Sequence, residues 1–92
     1  MIYRNRDGIE VSESERGCAY RVDAPVRGNG MDMLCEVRFQ SGPAESIGVN
    51  GLSADVVIAI VIDHVKKNGR GVNSSRAIVA MENALQWIVA CR

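Results

Sequence analysis

The sequence predicts an α+β fold, a small amino-terminal antiparallel β-sheet followed by a carboxy-terminal antiparallel helical hairpin, assembled as a homo-oligomer. Three observations predict it. Apolar residues alternate with period two before residue 40, they recur at helical spacing after it, and one segment of the second half has apolar residues on every side. Residues 1–40 form the expected β region and 41–92 the loop and hairpin, within a single compact domain. A chain of 92 residues buries only about 60–65% of its extended-chain surface, so it is marginal alone.

The strongest strand is 31–39, where Met31, Met33, Cys35, Val37 and Phe39 fall on one face and Asp32, Leu34, Glu36 and Arg38 on the other. Cys18, Tyr20 and Val22 make a shorter alternation. Between the two, Pro25 and the run Arg27, Gly28, Asn29, Gly30 supply turn chemistry, which predicts an antiparallel hairpin. Upstream, 2–6 and 9–13 flank Asp7 and Gly8, a second hairpin signal, and the polar stretch 12–17 reads as a loop.

After the Gly/Pro/Asn-rich stretch FQSGPAESIGVNG (39–51), Ser53 can cap a helix with Asp55 in its first turn, and Asn68 with Gly69 can stop it. The β-branched run 56–62 also suits a buried strand. Length decides for helix, because the pattern continues through Asp63, His64, Val65, Lys66 and Lys67. Asn73, Ser74 or Ser75 caps the second helix, with Ala77, Ile78, Met81, Ala84, Leu85 and Ile88 as its inward stripe and Glu82, Asn83 and Gln86 on its wet side. A first helix without a polar face is buried on both sides, which predicts self-association with Val57, Ile60 and Val61 as contacts. The alternative covers one side with the sheet and the other with the second helix.

Eleven basic and eleven acidic residues give a formal charge of zero, so no global field draws the chain to nucleic acid or an anionic membrane. Cys18, Cys35 and Cys91 are scattered and odd in number. They argue for a reducing compartment and read as small core hydrophobes rather than a disulfide set or zinc ligands. The first residues lack a signal-type apolar segment, and the longest apolar run is far too short to span a bilayer. The expectation is a soluble, cytoplasmic protein. His64 is the sole histidine, and its neighbour Asp63 points another way on a helix, so no Asp–His dyad follows. Dispersed carboxylates give acid–base catalysis no local support. The chain therefore reads as a binder without catalytic residues, metal or cofactor. A loop feeding a helix amino end, 39–51, and the run 68–76, with Arg70, Arg76 and short hydrogen-bonding side chains, suit a phosphorylated ligand. The second run departs from a Walker A loop, whose lysine it lacks, and a plain helix-hairpin turn remains its alternative. Trp87 and Tyr20 read as core, and Phe39 as either packing or stacking.

The segment FQSGPAESIGVNG, the helix LSADVVIAIVIDHVKK and the second helix with MENALQWI resemble the helical-hairpin domain of phage cyclic-nucleotide sponges. These are the anti-CBASS and anti-Thoeris proteins. The resemblance covers 38–88, and the strand-rich first half brings it closer to the anti-Thoeris branch, with its amino-terminal sheet. It implies non-catalytic capture of cyclic oligonucleotides or cyclic ADP-ribose isomers in the host cytoplasm during infection. It also implies pockets between subunits of a dimer-based oligomer, with a hexamer as one form. On that reading Arg16, Arg38, Arg70 and Arg76 pair with phosphates, Phe39 stacks on a base and Asn50 bonds base or ribose, while N–H groups around Gly51 and Ser74 complete the cradle. The family's hairpin loop carries an aromatic and a Cys-Arg-Glu-Asn-like run. Here the corresponding residues are Gly71, Val72, Asn73, Ser74 and Ser75, which makes the pocket near Phe39 and Asn50 the expected one. Two other classes fit the element order, an oligomeric interaction module without ligand and a ribbon-helix-helix DNA binder. The second would need base-reading side chains where 31–39 offers Asp32, Leu34, Glu36 and Arg38.

Overall fold

The computed structural model describes residues 1–28 and 30–90. Asn29, expected in a turn, and Cys91, expected in the core, lie outside the described residues. The order of elements is β1 (Tyr3–Arg4), β2 (Glu10–Glu15), β3 (Ala19–Pro25), β4 (Met31–Arg38), α1 (Ala44–Ile47), α2 (Ala54–Asn68) and α3 (Gly71–Ala90), an α+β chain. It forms two compact units, Met1–Leu52 and Ser53–Arg92. The loop after β4 therefore goes with the sheet.

The sheet is an antiparallel meander in the order β1-β2-β3-β4. Its first turn is held by Asn5, whose side-chain oxygen accepts from the N–H groups of Asp7 and Ile9, both at 3.0 Å. This is the Asx-type capture that Asn favours in turns. The polar stretch 12–17 is not all loop. β2 continues through Glu15, with Ser12 opposite Arg21 and Glu13 opposite Tyr20, and only the tight turn to Cys18 is irregular. Its polarity records solvent on both faces of a short strand rather than loss of the strand. Pro25, expected in a turn, is instead the last residue of β3 and stands opposite Met31, a strand-end position that a residue without an N–H tolerates.

β4 corrects the predicted alternation. Val22 pairs with Cys35 but Asp23 pairs with Met33, so Leu34 is an extra residue, a β-bulge. Because side-chain direction has period two, one extra residue transfers everything beyond it to the opposite face. Val37 and Cys35 share a face with Tyr20 and Val22, whereas Met33 lies on the face of Asp23 and Arg21. The sheet thus gathers Val11, Tyr20, Val22, Cys35 and Val37 on one side and its ion pairs, together with Met33, on the other. The ionic side carries the pairs Arg4–Glu10, Arg21–Asp23, Arg38–Glu15 and Arg38–Glu36. Ala19 is fully buried. Cys35, expected in the core, is exposed, and Cys18 is half-buried.

In the second unit the run 56–62 is helical, as its continuation to Lys67 requires. Ser53 takes the cap position without a side-chain capping bond, and Gly69 ends α2 by donating its N–H to the Val65 carbonyl at 2.7 Å. α2 packs on α3 through Ile62, the buried residue of this unit, and through half-buried Ile58 and Val65. α3 contributes Ser74, Ile78, Met81, Leu85 and Ile88, spaced four and three apart like a coiled-coil seam. Ala77 and Ala84, expected in that stripe, are exposed. Lys66 and Glu82 close the seam's side with an ion pair at 3.3 Å. Of the residues expected to make self-contacts, Ile60 is 60% and Val61 40% exposed, while Val57 is half-buried. Trp87 is not core: it is 74% exposed. At 100° per residue it shares a stripe with Val72, Val79 and Asn83, opposite the α2-facing seam. No helix among the described residues is long and apolar enough to cross a membrane.

Candidate functional site

The loop 39–52 is closed by a backbone ladder at its two ends. Phe39 and Leu52 form a parallel bridge, with Leu52 donating to the Arg38 carbonyl and Gln40 to the Leu52 carbonyl, both at 2.8 Å. Two amide side chains lock what lies between. Gln40 donates to the carbonyls of Gly42 (3.2 Å) and Gly48 (3.0 Å) and accepts from the Asn50 N–H (2.9 Å). Asn50 accepts from the Ser41 N–H and donates to the Ser41 carbonyl, both at 2.9 Å. Within this frame 44–47 forms the single helical turn α1, where the sequence predicts loop. The glycines have distinct duties. Gly42 and Gly48 hold φ of 82°, a left-handed value that favours glycine. Gly51 is needed for closeness, since a Cβ there would sit 2.5 Å from the Phe39 carbonyl carbon and oxygen.

This geometry reassigns several expected ligand residues. Both polar atoms of the Asn50 side chain are committed to Ser41, so Asn50 builds the loop. The N–H groups on either side of Gly51 are also engaged, Asn50 with Gln40 and Leu52 with Arg38. Phe39 packs edge-on against Tyr20, with ring centroids 5.8 Å apart. Arg38 donates to Glu15 at 2.7 Å and to Glu36 at 3.2 Å. The hydrogen bond and charge of Glu15, then the hydrogen bond to Glu36, raise its pKa above the ordinary value. A raised cation pKa favours the folded state up to strongly alkaline pH, so Arg38 contributes no titration near neutrality. Arg16 lies beside Glu15 in the β2–β3 turn and, among the described residues, makes no ion pair. Thus Arg16, Arg38, Phe39, Asn50 and Gly51 all belong to the sheet unit. A β-bridge gathers the last four, and the Phe39 N–H bond to the Cys18 carbonyl ties them to the turn that carries Arg16.

Arg70, Ser74 and Arg76 belong to the helical unit. α3 starts at Gly71, at φ 82°, earlier than the expected caps, so Asn73, Ser74 and Ser75 lie inside the helix. The hydroxyls of Ser74 and Ser75 bond back to the carbonyls of Arg70 (3.0 Å) and Gly71 (3.3 Å). Such back-bonding is how serine is accommodated within a helix. The free N–H groups of a helix belong to its first turn, here Gly71, Val72 and Asn73 rather than Ser74. Arg70 and Arg76 make no ion pair among the described residues. A shallow, open patch on the face of α3 is formed by Ser75, Arg76, Val79, Ala80 and Asn83.

His64 is exposed, and its carbonyl accepts from the Asn68 side chain at 2.9 Å. Asp63 pairs with Lys67 at 3.1 Å. Among the described residues no three His, Cys, Asp or Glu are grouped to hold a metal ion. Sequence reasoning passed over Gln40 as half of the clamp. A glutamine and an asparagine ten residues apart on either side of a Gly-rich loop were the available signal for the clamp. No family model matches the sequence, and no curated protein matches it.

Proposed function

We propose that this chain binds and sequesters a small phosphorylated ring, a cyclic oligonucleotide or cyclic ADP-ribose-type signal, without transforming it. In this reading copies associate through α2, countering a bacterial anti-phage defence from the host cytoplasm. The observation that carries it is the amide-locked loop 39–52. It coincides with the most specific part of the resemblance, and its glycines, Gln40 and Asn50 pre-form a frame before any ligand arrives. A pre-formed frame lowers the ordering cost of binding. Arg16, Arg70 and Arg76 supply cations free of ion pairs among the described residues, and the exposed Ile60 and Val61 supply a self-association face. Stoichiometric capture needs tight binding, about −12 kcal/mol for a nanomolar site, and charge-assisted hydrogen bonds contribute about 1.5–3 kcal/mol each.

Calorimetric titration against cyclic dinucleotides, cyclic trinucleotides and cyclic ADP-ribose isomers tests the reading. One class should give a saturable heat, weakened about ten-fold or more by Arg70→Ala, with the melting temperature unchanged. The exposures of Val49 (83%) and Trp87 (74%) favour a second reading, an oligomeric interaction module without small ligand. Flat traces across the whole panel select that module. The DNA-binding alternative loses ground, because β4 is already paired within an intrachain four-stranded sheet and the chain carries no net charge.

A further inference from the structure

We infer that Asn50 is a site of self-modification, at which the Gly51 backbone nitrogen displaces ammonia from the Asn50 carboxamide once the Gln40 and Asn50 clamp opens. Two structural demands put this pair of residues together. The clamp needs a carboxamide at position 50, because Asn50 both accepts from the Ser41 N–H and donates to the Ser41 carbonyl. The close approach to Phe39 needs glycine at position 51, since a Cβ there would sit 2.5 Å from backbone atoms. Asparagine followed by glycine is the pair in which this cyclisation is fastest, because no side chain shields the attacking nitrogen. The fold therefore installs a reactive pair at the centre of the loop.

The nucleophile is uncommitted and the electrophile is held. Among the described residues the Gly51 N–H makes no hydrogen bond, whereas the N–H groups of Asn50 and Leu52 are both engaged. Once the Gly51 N–H has lost its proton, its nitrogen bonds to Cγ of Asn50, the Cγ–Nδ2 bond breaks, and Nδ2 leaves as ammonia. Water then opens the five-membered imide. Cleavage on the Cγ side gives aspartate, and cleavage at the main-chain carbonyl gives an isoaspartyl linkage with an extra backbone methylene. Closing the ring turns both the side chain and the peptide between Asn50 and Gly51. The clamp fixes the first at Ser41, and Gln40 with the Phe39–Leu52 bridge fixes the second. Opening gates the reaction, so its rate follows the open population. The product does not rebuild the clamp. A carboxylate has no N–H for the Ser41 carbonyl, and a lengthened backbone shifts Gly51 from its contact with Phe39. No ligand and no second copy takes part.

The test incubates the intact chain at mildly alkaline pH and follows the replacement of NH2 by OH through peptide mass spectrometry. Cleavage after Arg38 and Lys66 releases 39–66, in which Asn50 is the only asparagine. Modification of the folded wild type should be about ten-fold or more slower than that of the urea-unfolded chain. Gln40→Ala removes three hydrogen bonds of the clamp and should speed modification of the folded chain by about ten-fold or more. Asn68 with Gly69 is an internal reference in the helical unit, where the Gly69 N–H donates to the Val65 carbonyl at 2.7 Å. Its rate should not respond to Gln40→Ala. Asn50→Asp, which mimics one product, should speed amide exchange at position 50, whose N–H the closed clamp holds on Gln40. A folded wild type modified as fast as the unfolded chain would overturn the proposal. So would equal acceleration at Asn68 in Gln40→Ala, or wild-type exchange in Asn50→Asp. The first comparison uses the wild type alone and decides even where Gln40→Ala does not fold.

Discussion

Two glycine-rich connections bracket α2, and they use the same residue types to opposite ends. The connection before α2, residues 39–52, turns its Gln40 and Asn50 side chains onto its own backbone, so that side-chain amides replace the regular ladder that a loop lacks. The connection after α2, Gly69 and Arg70, is short enough to need no such filling. Just beyond it, Ser74 and Ser75 of α3 bond back to the carbonyls of Arg70 and Gly71, and Arg70 and Arg76 make no ion pair among the described residues. Composition alone makes both look like phosphate loops. Hydrogen-bond accounting separates them: one is a rigid presenter of apolar side chains, the other an open source of cations.

That contrast is most easily broken at Gly51. A Cβ there meets backbone atoms of Phe39 and Gln40 at 2.5 to 2.8 Å, and backbone cannot swing aside as a side chain can. Gly51→Ala should cost about 2–3 kcal/mol, read as a lower thermal midpoint. A loss below 0.5 kcal/mol would mean the bridge between Phe39 and Leu52 is not closed. Next comes Asn50→Ala, which removes two hydrogen bonds and should cost about 1–2 kcal/mol. Amide exchange at Ser41 and Gly48 should speed up in that variant. If exchange there stays slow, the clamp does not order the loop. Gly71→Ala is the mildest. Its Cβ meets nothing within 4 Å, so only the left-handed backbone is penalised, by about 1 kcal/mol. Equal losses at Gly51 and Gly71 would erase the distinction between a glycine chosen for space and one chosen for dihedral angle.

The sheet's hairpins were legible because Asp7 with Gly8 and Arg27 with Gly28 interrupt apolar runs, and turn chemistry is local. The bulge was not. Met31, Met33, Cys35 and Val37 alternate without a break, and an extra residue shows itself only in the partner strand's register. The helical hairpin was legible from spacing, down to Ile78, Met81, Leu85 and Ile88. Its second start was placed late because Gly71 and Val72 read as loop, whereas glycine with positive φ can open a helix as well as close one. Among the residues expected to meet a ligand, Asn50 instead turns its side chain onto its own loop. An asparagine's partners are a matter of tertiary distance, and Ser41, nine positions away, is one that no local pattern reveals.

The extra residue at Leu34 also has a bearing on solubility. β4 is the longest strand, lies at the sheet's margin and carries methionines at its start, the kind of margin along which chains polymerise into cross-β fibrils. A kink midway misaligns its outer amides, so a neighbouring strand can add to either half but cannot zip along the whole length.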